Sequence, residues 1–135
     1  MSTLAVGTIK SVSSAAPVFQ NSSGTVKGQL VKAWVHFNGT GTVAINDHFN
    51  VSSITDIATG NYKVNFANAL PNSNYAVASE CQKDFNSQGF WGTVQSGKTS
   101  GSGWETSGHT LRTRQYNEGF GTDCVEITLI FCCND

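Results

Sequence analysis

The chain has 135 residues, with 8 Lys and Arg against 9 Asp and Glu, a net charge of −1 and a charged fraction of only 13%. That length supports one domain able to bury its own core without metals or disulfides. No basic run marks a nucleic-acid partner, and no apolar run approaches the roughly 20 residues that cross a bilayer, which argues against nucleic acid and against membrane insertion.

Residues 2–12 (STLAVGTIKSV) are read as a short strand, with Leu4, Val6 and Ile9 as its apolar members. They show neither a basic start nor an apolar core of a leader, so synthesis in a cytoplasm is expected. Residues 13–28 hold Pro17, Asn21, Ser22, Ser23 and Gly24 and are read as an arm with a brief extended piece at Val18 and Phe19. The expected division is therefore an arm over 1–29 and a β-domain over 30–135.

From Leu30 the apolar pattern sharpens. Residues 30–38 place Val31, Ala33, Val35 and Phe37 on one face and Lys32, Trp34, His36 and Asn38 on the other. Asn38-Gly39 tolerates positive φ and reads as a turn. A short strand over 42–45, a turn at Asn46-Asp47 and a strand over 49–57 follow, the last with Phe49, Val51 and Ser53 alternating against Asn50, Ser52 and Ile54. Thr59-Gly60-Asn61 is the next turn. Residues 62–67 set Tyr62, Val64 and Phe66 against Lys63, Asn65 and Ala67, and Leu70-Pro71-Asn72 ends that run. Residues 75–81 resume the alternation.

The stretch 84–108 is rich in Gly, Ser and Asn, with one strand expected over 89–95 and a long loop over 96–103. Residues 109–116 read as a strand with an unusual polar face, on which Thr110, Arg112, Arg114 and Tyr116 lie together. After a turn over 117–122, residues 124–131 close the chain with Val125, Ile127, Leu129 and Phe131 in period 2. No window shows helical spacing. Six to eight strands at intervals near ten residues predict an all-β, single antiparallel β-sandwich with an extended N-terminal arm.

The residues that carry chemistry are few. Cys81, Cys124, Cys132 and Cys133 lack paired ligand spacing, so free thiols are expected, with a Cys81–Cys124 or Cys81–Cys132 bridge as the alternative. His36, His48 and His109 share no i, i+2 spacing and no acidic companion, and are taken as ordinary surface histidines; no metal is expected. Ser, His and acids are all present, but without a nucleophile elbow. Asp84, Glu105, Glu118, Asp123 and Glu126 qualify as a carboxylate pair only by being there. No enzyme and no cofactor are expected. The better functional signal is sugar contact. Phe90, Trp91, Trp104 and Tyr116 offer ring faces beside loops, and Arg112 and Arg114 offer hydrogen bonds, against the plainer alternative that the tryptophans cap the core. Asn21, Asn38 and Asn50 start glycosylation-type triplets that are read as turn and strand chemistry.

Between Lys32 and Tyr75 the wording is specific: Ala33-Trp34-Val35, Phe37-Asn38-Gly39-Thr40-Gly41-Thr42, then Phe49-Asn50-Val51-Ser52-Ser53-Ile54-Thr55-Asp56, Gly60-Asn61-Tyr62, Val64-Asn65-Phe66, Ala69-Leu70-Pro71 and Asn74-Tyr75. This resembles a module of bacteriophage tail fibres and fibre-like virion appendages. The likeness fades over 81–108 and departs from the module at His36 and His48. It implies a viral structural protein located in the virion as an appendage and forming a homotrimer; together with the reading of the residues above, the chain is expected to be made in the host cytoplasm and to contact other virion proteins and a host surface glycan. A short tail fibre for host attachment is the first expectation. A capsid-decorating or head-fibre protein, or a free lectin-like domain, is the alternative. The arm residues Leu4, Val6, Ile9, Val18 and Phe19 are the expected oligomer or attachment contacts, because an apolar arm can shield a neighbour's sheet edge.

Overall fold

A computed structural model describes residues 5–10, 19–20, 22–24, 26–28, 30–83, 92–97, 103–115 and 121–133. Among the described residues every regular element is a strand: β1 (Phe19–Gln20), β2 (Val26–Gly28), β3 (Ala33–Asn38), β4 (Ala44–Phe49), β5 (Val51–Ala58), β6 (Asn61–Phe66), β7 (Ala76–Gln82), β8 (Gly92–Ser96), β9 (Trp104–Glu105), β10 (Gly108–Gln115) and β11 (Glu126–Cys132). Among the described residues the strands β1 and β2 pair only with each other.

The remaining nine strands form two antiparallel sheets. One has the order β4-β3-β11-β7, and the other β5-β6-β10-β8 with β9 beside β10. Each sheet turns one face inward, and the period-2 alternation decides which residues go there. Ala33, Val35 and Phe37 of β3 and Ile127, Leu129 and Phe131 of β11 have no exposed surface. Tyr62 and Val64 of β6 and Leu111 of β10 meet them from the opposite sheet, equally buried. Aromatic rings stitch the two layers edge to face: Phe37 to Tyr62 at 5.4 Å, and Phe66 to Phe131 at 5.0 Å between centroids. The protein is an all-β sandwich.

The chain passes from the first sheet to the second at a single residue. Asn50, between β4 and β5, has φ +54°. Asn tolerates that left-handed conformation better than a branched residue would. Its side chain also holds the corner: Nδ2 donates to Lys32 O at 3.0 Å and Asn68 O at 3.1 Å, and Oδ1 accepts from Asn68 N at 2.8 Å.

A second anchor lies at the other end. Gly60 N donates to Asp123 Oδ1 at 2.7 Å, and the Tyr62 hydroxyl lies 2.6 Å from that same oxygen and 2.9 Å from Gly39 O. Burial first, then the hydrogen bond to Asp123, push the Tyr62 phenol far above its ordinary value. Thr113 Oγ1 donates to Thr122 O at 2.5 Å, and Thr113 N to Gly60 O at 2.8 Å. This tie needs Gly60, at φ +66°: a Cβ there would strike Thr122 N and come within 2.7 Å of Thr113 O.

Three expectations are corrected. Residues 5–10, within the stretch read as a first strand, form no strand, and Val6 and Ile9 are 52% and 62% exposed. They stand three apart rather than two, and among the described residues no partner strand takes them up. The turn expected at Asn46-Asp47 is absent, because both residues lie inside β4. The ladder with β3 slips there, with His36 opposite Asp47 but Phe37 opposite Ile45, so Asn46 is the extra residue of a bulge and the chain reverses at Asn50 instead. In β5 the expected phase also fails. Val51 pairs with Phe66 and Ile54 with Val64, so Ile54, not Ser53, joins Val51 on the core side. The irregularity between Val51 and Ser53 inserts one residue, and a shift of one flips the face of everything after it.

Candidate functional site

The strand β10 carries the site chemistry, and its alternation divides that chemistry in two. His109, Leu111 and Thr113 point into the sandwich and have 0% exposure. Thr110, Arg112 and Arg114 point outward.

The inward histidine corrects its expected surface position. His109 Nε2 lies 3.0 Å from Ser96 Oγ, and Nδ1 lies 3.2 Å from the Tyr75 hydroxyl. That hydroxyl also accepts from Glu105 N at 3.2 Å and donates to Gly108 O at 3.0 Å. The donor count assigns the tautomer: Nδ1–H donates to Tyr75, and Nε2 accepts from Ser96. Every group is then satisfied by a neutral ring. Trp104, Tyr75 and Phe131 meet the ring edge to face at 5.3, 5.7 and 5.4 Å. Burial pushes the imidazole from its ordinary 6.5 down to about 4.

A serine hydroxyl at hydrogen-bond distance from a histidine is the opening contact of a hydrolase. Here the third member is a phenol rather than a carboxylate, and the ring is a weak base shut inside the core. The arrangement is suited to holding β8, β9 and β10 together. Trp104, considered above as a sugar platform, lies partly buried against this ring and packs on the core.

The outward row is the opposite case. Asn61 and Gln95 flank Arg112 across the ladder, and Lys63 stands opposite Thr110. Lys63 Nζ is held by Glu105 Oε2 at 2.8 Å. Asn65 Nδ2 donates to Thr55 Oγ1 at 2.9 Å and to Ser53 Oγ at 3.1 Å. Against these satisfied neighbours, Thr110 Oγ1, Arg112 Nε and Arg114 Nε are buried atoms without a hydrogen-bond partner. Thr110 is only 5% exposed. Buried polar groups are normally paired, so three orphans at i, i+2 and i+4 on one face mark that row as unfinished.

The outer face of the first sheet differs. Phe49, Trp34, Ile130 and Ala78 line up across four strands. Phe49 and Ile130 are 52% and 39% exposed, which makes the row an apolar band. Beside it His36 bonds Glu126. A shallow depression at the β4–β5 corner is lined by His48, Phe49, Asn50, Val51, Ala67 and Asn68. Its amides are already engaged with each other.

Of the expected sugar contacts, Arg112 and Arg114 share one outer face, Trp104 lies on the core side, and Phe90, Trp91 and Tyr116 lie outside the described residues. Of the expected oligomer contacts, Val6, Ile9 and Phe19 are exposed, while Leu4 and Val18 lie outside the described residues. Among the described residues no three His, Cys, Asp or Glu side chains gather where a metal ion would sit. All four cysteines are free thiols. Cys81 and Cys124 meet in the core, where the hydrogen bond to Cys124 and then burial hold the Cys81 thiol above its ordinary value.

Two features escaped the sequence reading. Thr110 was seen only as a neighbour of the arginines. His109 was legible in principle: it stands two and four residues before Leu111 and Thr113, on the apolar phase. A scan against protein-family models, a search of curated proteins and a search of solved structures each found no match.

Proposed function

We propose that this protein is a non-enzymatic structural and binding protein of a bacteriophage virion, a short trimeric tail fibre that contributes to host attachment by touching surface glycan. The observation that carries the binding half is the polar outer face of the second sheet, where Arg112 lies between Asn61 and Gln95 and neither Arg112 nor Arg114 has a partner among the described residues. Amide and guanidinium donors on a rigid sheet suit sugar hydroxyls, because little order must be created on binding. The virion half rests on the wording of residues 32–75.

Self-association has two candidate surfaces. The arm exposes Val6, Ile9 and Phe19, and the first sheet exposes the Phe49–Trp34–Ile130 band. Exposed apolar bands of this kind favour contact with protein. The same band favours a second reading, a capsid-decorating or head-fibre protein seated on a shell.

Electron microscopy of the intact virion tests the proposal. Three-fold density for this chain at the tail is the expected result. Density spread over the capsid shell would overturn the fibre reading in favour of the decorating one.

A further inference from the structure

We infer that the Thr110–Arg112–Arg114 row is a binding site for an oxyanion-bearing glycan, one whose carboxylate or phosphate groups lie between the two guanidiniums. The inference rests on the glycan reading above and names the class of sugar. A glycan contact by itself does not require charge. The geometry of this row does.

The argument begins with spacing. Arg112 and Arg114 leave β10 on the same side, about 7 Å apart along the strand. Their forks are long enough to converge on one group or to take successive residues of a chain. Each guanidinium is a fixed planar array of donors that matches the two oxygens of a carboxylate or phosphate.

Compensation comes next. A cation on a protein surface is usually offset by a nearby acid or by its own hydrogen bonds. Lys63 illustrates this on the adjacent strand, where Glu105 neutralises it at 2.8 Å. Among the described residues neither Arg112 nor Arg114 has a comparable partner, and in both the Nε–H is buried and unbonded. An unsatisfied buried donor is costly to a fold. Two such donors on one strand face, with no acceptor among the described residues, form a site complementary to an anion.

Thr110 is the third sign. It is 5% exposed, and its hydroxyl has no partner among the described residues. A hydroxyl both donates and accepts, so its lack of a partner leaves the strand face beside Arg112 short of polar contacts. The row therefore joins one unpaired hydroxyl to two cations. Gln95 and Asn61, on either side of Arg112, extend the donor and acceptor field across three strands.

The test is titration of the purified chain with three saccharides of equal length: oligogalacturonate, phosphorylated oligomannose and neutral maltoheptaose. Arginine Nε–H resonances are followed by nitrogen-15 NMR. At least one acidic saccharide is expected to bind, to shift the Nε–H signals of Arg112 and Arg114, and to weaken as salt rises. Affinity is expected to fall at least tenfold in Arg112→Ala and in Arg114→Ala, and to fall less in Arg112→Lys, which keeps the charge but loses the fork. The acidic oligomer that binds identifies the oxyanion. Urea denaturation of each variant separates lost binding from lost folding. Binding of maltoheptaose as tight as that of either acidic oligomer, unchanged in both alanine variants, would overturn this inference and leave the glycan reading standing. Failure of all three saccharides to bind would count against both.

Discussion

Acidification should weaken this protein through His109 in particular, by an amount that follows from its burial. The folded imidazole titrates at about 4, against an ordinary value of 6.5. Between those values the unfolded chain binds a proton that the folded chain refuses. The contribution of His109 to stability is therefore fully present above pH 6.5, is lost as pH drops toward 4, and changes no further below it. At about 1.4 kcal/mol per pH unit, the gap is worth roughly 3 kcal/mol. The groups facing the ring are Tyr75, Ser96, Trp104 and Phe131, with Glu105 behind Tyr75, so no carboxylate hydrogen-bonds the ring to stabilise an imidazolium. His109 is one group among many, so a difference is the right measurement. Urea denaturation of the wild type and of His109→Gln is run at pH 7, 5.5 and 4. Glutamine keeps a donor and an acceptor but has no proton to gain. The variant is expected to start less stable at pH 7 and to lose roughly 3 kcal/mol less than the wild type on going to pH 4. Equal losses in both proteins would refute the reasoning and place the acid sensitivity elsewhere.

Three further outcomes follow from the packing. Gly60→Ala forces a side chain onto a residue at φ +66° with Thr113 O 2.7 Å away, and should cost at least about 2–3 kcal/mol in thermal or urea unfolding. Tyr62→Phe keeps the ring against Phe37 but removes the proton offered to Asp123 and Gly39, with an expected loss of about 1.5–3 kcal/mol by the same measurement. In native protein a thiol reagent should modify the half-buried Cys132 first and Cys81, Cys124 and Cys133 slowly, whereas in urea all four should react at similar rates. Mass spectrometry of the partly labelled chain gives the order.

What sequence alone determined is the sheet chemistry of individual strands. Period 2 is a local property, so the inward sets Ala33–Val35–Phe37, Tyr62–Val64–Phe66 and Ile127–Leu129–Phe131 could be read before any partner was known, although Val31, read with the first set, precedes β3 and is 40% exposed. The outward set Thr110–Arg112–Arg114 was legible for the same reason. The all-β class followed from many such runs punctuated by turn residues. Tertiary structure alone decided the rest, because it depends on what lies across the ladder. The bulge at Asn46 and the phase change at Ile54 arise only when β3 and β6 impose their register on β4 and β5. The reversal at Asn50 is held by Lys32 and Asn68, each 18 residues away in the chain. His109 became a core residue because Ser96 and Tyr75 arrive from 13 and 34 residues off to satisfy both ring nitrogens. Arg112 and Arg114 became a candidate site for the converse reason. Arg112 meets Asn61 and Gln95 across the ladder and Arg114 meets Thr93 and Gly121, none of them acidic, and whether a charge finds its partner is settled by long-range strand pairing rather than by its own neighbours in sequence.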